Sequence, residues 1–149
     1  MKRVIRAGCF ETNSSSCHSI CISGEGLEPN NIPIDDAGFI HVYIEREAYD
    51  SEHEPLTSQL EKLTYLIAQM KTRRNNGYWR SGDEDYTYDD IIPALKKYTG
   101  CEGLIVHGEY PNINHQLWDE VDTLCSTWDK DSVISYIFNK YITVHFWQD

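Results

Sequence analysis

Leu56, Leu60, Leu63, Leu66, Ile67 and Met70 recur at three- and four-residue steps, the spacing of one face of an α-helix. An apolar stripe of that width has to be covered by another layer of the protein, so this segment dictates that the chain builds a core around it. The spacing predicts a helix from Leu56 through about Thr72. Ser51-Glu-His-Glu54 has the form of a capping box before it, and Pro55 falls where a first helical turn tolerates a missing N–H. Gln59, Glu61, Lys62 and Gln69 lie off the stripe and read as solvent-facing.

Strand-like runs stand on both sides of this helix. Val4 to Phe10 and His18 to Ile22 are two short ones, and Phe39 to Glu45 places Ile40, Val42 and Ile44 on one face. The other face of that run carries Phe39, His41, Tyr43 and Glu45, half apolar and half polar. Leu104 to His107 reads as a short buried strand, and Tyr141 to Trp147 as the closing one. Thr87-Tyr-Asp-Asp90 caps a second helix with Ile91, Ile92, Leu95 and Tyr98 inward, Pro93 in its first turn and Gly100 as its stop. Amphipathic spacing from Leu117 to Trp128, and Val133 to Phe138 behind an Asp131-Ser132 cap, supply further helices. Arg73 to Asp85 has no periodicity and reads as an exposed loop, although its arginines with Tyr78 and Trp79 could stack on a base. With no repeat, no low-complexity tract and no second domain in 149 residues, the expected architecture is α+β. It is one domain over 1–149, a mainly antiparallel sheet packed with three to four helices.

Charge narrows the function classes. The formal net charge is −11, which repels a phosphate backbone and argues against general duplex DNA or RNA binding. It does not oppose one small nucleotide in a locally positive pocket, nor docking on a basic host surface. Met1-Lys-Arg-Val-Ile-Arg6 has no apolar segment behind its charges, and no window approaches the roughly 18 apolar residues of a membrane span. With five cysteines, an odd number, the chain reads as cytoplasmic with reduced thiols.

Asn13-Ser-Ser-Ser16 offers an amide, three hydroxyls and successive backbone N–H groups between two strand-like runs. Such a turn can cradle a phosphate or carboxylate, with Arg3 or Arg6 balancing the charge. The plain alternative is a polar turn that bonds its own backbone. Cys17 and His18 are neighbours on a strand and so point to opposite faces, which weakens a nucleophile–base or zinc reading. Asn114-His115-Gln116 gathers donors, acceptors and one group that titrates near neutrality. His41, His107 and His145 lie on predicted strands and read as half-buried structural residues. Common nucleotide, zinc-protease and hydrolase signatures are absent from the sequence, which lowers the case for an enzyme.

Phe10-Glu-Thr-Asn-Ser-Ser-Ser-Cys-His-Ser19 resembles the start of a family of uncharacterised bacteriophage and bacterial proteins. In these a short strand precedes a near-identical segment, and many carry a later Ile-Asp-His-Gln-Ser-like motif whose counterpart is Ile113-Asn-His-Gln116. Asn114 replaces the acid and Leu117 the serine, so an acid or metal-ligand role is lost at that position. The resemblance implies that the two motifs meet in one pocket, built from Arg6, Asn13, Ser14, Ser15, Ser16, His18, His115 and Gln116. It points to a cytoplasmic phage accessory protein, acting in counter-defence and oligomeric, that sequesters a small anionic nucleotide-like ligand without metal or cofactor. Two alternatives stand beside it: an enzyme that hydrolyses or transfers such a ligand with a histidine base, and an acidic inhibitor of a host protein.

Overall fold

The computed structural model of the chain describes residues 4–6, 16–23, 26–44, 54–76, 88–108 and 130–148. In order these form β1 (Val4–Arg6), β2 (Ser16–Ser23), β3 (Phe39–Tyr43), α1 (Gln59–Asn76), α2 (Ile92–Thr99), β4 (Gly103–His107), α3 (Lys130–Phe138) and β5 (Val144–Gln148). A 3-10 turn, Tyr88–Ile91, leads into α2. The helical segment expected over 117–128 lies outside the described residues; of the loop expected over 73–85, residues 73–76 instead continue α1 and the rest lies outside the described residues.

The strands form two sheets. β2 is the middle of an antiparallel three-stranded sheet, with Arg6 opposite Cys21 on one side and Ser16 opposite Gln148 on the other. β3 and β4 form a separate pair and run parallel, Phe39 beside Gly103 and Tyr43 beside His107. The expected mainly antiparallel sheet packed with the helices is therefore corrected: the strands that pack on the helices, β3 on α1 and β4 on α2, are the parallel pair. The reason is connectivity. β3 and β4 are separated by α1 and α2, and a helical crossover returns the chain in the same direction, where a hairpin would reverse it.

α1 sits at the centre of the described core. Leu63, Leu66, Ile67 and Met70 are buried as their spacing requires, each worth about 2 kcal/mol relative to exposure. They meet Ile40, Val42 and Ile44 of the β3 segment, Leu95 of α2, and Val133, Tyr136 and Ile137 of α3 within one cluster. The helix begins later than expected. Its capping box is Ser58-Gln-Leu-Glu61: Glu61 N–H donates to Ser58 Oγ at 3.1 Å and Ser58 N–H to Glu61 Oε2 at 3.0 Å.

The supposed solvent face of α1 is mostly covered. Gln59, Lys62 and Gln69 are buried, because neighbouring backbone groups need partners there. Gln59 accepts from Asn31 N–H at 2.8 Å and donates to Pro29 O at 3.0 Å. Lys62 Nζ donates to Asn139 O and Ile142 O, at 2.9 and 3.2 Å, in the turn between α3 and β5. That turn feeds β5, where Val144 exchanges main-chain bonds with Leu56 just before α1 (2.9 and 3.1 Å). The antiparallel sheet is thereby tied to the helical layer.

Gly100 ends α2 as expected, at φ +78° with its N–H bonded to Lys96 O. Among the described residues no helix is long and apolar enough to cross a membrane.

Candidate functional site

A turn before β3 starts the most chemically organised part of the described structure. Asp35-Asp-Ala-Gly38 has Asp first and Gly last, the residue choice of a common β-turn, and Gly38 N–H closes it on Asp35 O at 2.9 Å. Asp35 Oδ1 accepts the N–H groups of Ala37 (2.9 Å) and Phe39 (2.8 Å). Its other oxygen, Oδ2, lies 2.6 Å from His41 Nε2. His41 is on the face of β3 opposite the buried Ile40 and Val42.

Parallel pairing then brings in a residue from across the helices. Tyr43 and His107 are register partners at the carboxyl ends of β3 and β4, and His41, two residues back on the same face, reaches His107 diagonally. His41 Nδ1 and His107 Nε2 are 2.7 Å apart. Their ring planes differ by 12° and their centroids are 5.1 Å apart. With the nitrogens in hydrogen-bond contact, that separation means the rings lie edge to edge and nearly coplanar, as an N–H···N bond requires. Tyr43 stacks on His107 at 4.4 Å and 9°, and remains 63% exposed. Lys71 of α1 donates to the Gly108 carbonyl at 3.1 Å, which sets an ammonium beside the end of β4.

The tautomers follow from Asp35. Its carboxyl is held below the usual carboxylate range, first by the His41 hydrogen bond and next by the Phe39 N–H, so it is an acceptor near neutrality. His41 must then donate from Nε2, and as a neutral ring it accepts at Nδ1. With both rings neutral, His107 donates from Nε2, which leaves a lone pair on Nδ1. That atom has no hydrogen-bond partner among the described residues. The chain Asp35–His41–His107 thus ends at one nitrogen beside an exposed aromatic ring, at the carboxyl ends of β3 and β4.

The residues expected to form a pocket are placed only in part. Arg6 stands opposite Cys21, whereas Ser16 and His18 stand opposite Gln148 and Phe146. Cys21 and Ser16 are five positions apart on β2, so their Cα atoms are separated by about 17 Å. Asn13, Ser14, Ser15, His115 and Gln116 lie outside the described residues. Reading His41 and His107 as separate structural residues missed their hydrogen bond to each other. The usable signal was a strand–helix–strand order with a histidine on the polar face of each strand, since parallel pairing sets such residues side by side. Among the described residues no group of three or more His, Cys, Asp and Glu is placed to hold a metal ion. No protein-family model, curated protein or solved structure matches the chain.

Proposed function

We propose that the protein binds and sequesters a small anionic, nucleotide-like ligand at the carboxyl ends of β3 and β4. The observation that carries this reading is the Asp35–His41–His107 chain ending beside the exposed Tyr43. Tyr43 offers a base or sugar a flat face, and Lys71 offers an anionic group an ammonium donor beside His107. Ile113-Asn-His-Gln116 starts six residues after His107, and the reading extends the site to His115 and Gln116. The hydroxyls of Ser14, Ser15 and Ser16 would add donors to it. The setting implied by the resemblance is a phage accessory protein that removes a nucleotide signal, acting as an oligomer. Calorimetry against AMP, cyclic nucleotides and ADP-ribose tests the reading. A dissociation constant that weakens at least tenfold in Tyr43→Ala supports it, and flat titrations across the whole panel reject it.

A second reading is favoured by the same atom. A histidine nitrogen backed by a carboxylate through another ring is also a general base, so turnover of the bound ligand would make the protein an enzyme. Recovery of unchanged ligand after denaturation excludes that reading.

A further inference from the structure

The proposed site sets an electrostatic obstacle before a dianionic ligand. A lone pair on His107 Nδ1 cannot accept from a fully ionised phosphate, and the two would repel. We propose that Asp35 sets the direction of a hydrogen-bonded chain through His41, so that His107 Nδ1 is its proton-accepting end and binding of a phosphomonoester dianion takes up one proton.

This inference rests on the reading of function just given, and names how that site engages its ligand. Asp35 and His41 touch no ligand in this scheme; they are positioning residues for His107. The proton enters at Nδ1 from solvent, and the resulting N–H donates to a phosphate oxygen. The positive charge so created faces the Asp35 carboxylate through His41. Among the described residues the other titratable or charged groups around the chain are few. They are Asp36 in the same turn, Tyr43 on β3 and Lys71 from α1, whose ammonium is on the Gly108 carbonyl. The Lys96–Glu102 pair borders the chain's other end, where Glu102 N–H donates to Gly38 O at 2.6 Å in the Asp35 turn.

Asp35→Asn separates this arrangement from a merely structural cluster. The variant's side-chain amide keeps an Oδ1 for the Ala37 and Phe39 N–H groups, the bonds that shape the turn. Its nitrogen then replaces Oδ2 and donates to His41 Nε2 instead of accepting from it. His41 is forced to carry its proton on Nδ1, and His107 in turn on its own Nδ1. One atom changed at the far end therefore inverts the polarity of the whole chain, the same logic by which a wrong tautomer disables a catalytic histidine.

Two measurements test this. In ligand-free protein, nitrogen-15 spectra of neutral His107 should show the proton on Nε2 in the wild type and on Nδ1 in Asp35→Asn. Calorimetry with AMP is then run in buffers of different ionisation enthalpy at about pH 8, above the phosphate's second pKa of about 6. Wild type should take up close to one proton per AMP and lose about tenfold in affinity from about pH 7.5 to about pH 8.5. Asp35→Asn, with a donor already on Nδ1, should take up none and show a flat profile. A His107 tautomer that is unchanged by Asp35→Asn overturns the inference whether or not AMP binds. So does AMP binding to wild type without proton uptake. If the tautomer inverts but AMP fails to bind, the chain's polarity stands and the nucleoside-monophosphate form of the proposed function falls.

Discussion

Lys62 and the Asp35–His41–His107 chain are both polar systems laid against the same helix-covered core, and they end in opposite ways. Lys62 is 1% exposed, and the acceptors of its ammonium are main-chain carbonyls, Asn139 O and Ile142 O. The Asp35 and His41 side chains are 35% and 31% exposed, and their chain runs outward to a nitrogen with nothing bonded to it among the described residues. A polar group that is buried and satisfied within the fold serves the fold. One that is held at the surface, with an atom left over, is available to a ligand. Stability should therefore depend strongly on burial, and hardly at all on how short a hydrogen bond is.

The sharpest way to break this contrast is Gly108→Ala. Gly108 follows His107 at φ +94°, and a Cβ there would collide with the Ile44 carbonyl oxygen. Ile44 N–H donates to His107 O at 2.8 Å, so the collision falls on the bond that fixes the end of the proposed site. Strain at a positive φ and overpacking against backbone each cost about 2 kcal/mol, giving a loss of about 4 kcal/mol in urea unfolding. A loss below about 1 kcal/mol would show that the ends of β3 and β4 yield easily, and that His107 is not rigidly held.

Lys62 comes next, through pH. Burial pushes its ammonium down from 10.5 to about 8, with Glu28 acting the other way. The unfolded chain keeps the proton up to the ordinary value, so between about pH 8 and 10.5 it binds more protons than the folded chain, and stability rises with pH. The rise attributable to Lys62 is about 3 kcal/mol. Lys62→Met has nothing to titrate there, and the other groups cancel in the comparison. Wild-type stability should climb relative to Lys62→Met across that window and run parallel to it below pH 8. Parallel curves throughout would mean that water reaches the ammonium.

Lys62 also marks where the sequence stopped being legible. The apolar stripe of α1, the face Ile40–Val42–Ile44 and the Gly100 stop were readable because period and backbone geometry are local properties. Lys62 was misread because helical spacing reports which side is apolar, not what covers the other side; a turn some eighty residues away does so here. Its cap was misplaced for a related reason: Ser51-Glu-His-Glu54 and Ser58-Gln-Leu-Glu61 carry the same signature, and only packing chooses between them. The histidine pair needed strand direction, which is a non-local fact. The serine-rich motif was conspicuous in the sequence, yet of its residues only Ser16, Cys17, His18 and Ser19 have a defined register.

A half-buried bond tests the middle of the range. Tyr98 donates from its hydroxyl to Glu28 O at 2.8 Å while its ring packs on Phe138 at 4.3 Å between centroids. Tyr98→Phe keeps the ring contact and removes the hydroxyl, so urea unfolding should register a loss of about 1 kcal/mol. A loss of more than about 2 kcal/mol would mean that partial exposure confers no relief, and would weaken the rule that burial decides.

Lys96 gives the smallest effect and the cleanest contrast, since it is the same amino acid as Lys62 in the opposite surroundings. Its Nζ lies 2.7 Å from Glu102 Oε2, shorter than either Lys62 bond, and the two side chains are 54% and 58% exposed. Glu102 holds the Lys96 ammonium above the ordinary lysine value, through their hydrogen bond first and their charge attraction next. Water competes for each of them, salt screens the pair, and two long side chains lose rotamer freedom to meet. Lys96→Gln should leave the urea midpoint unchanged within error at physiological ionic strength, and raising the salt should change wild type and variant alike. A midpoint that falls as far as in Tyr98→Phe would show that distance outranks burial here, and would remove the ground for reading Lys62 as structural and His107 as functional.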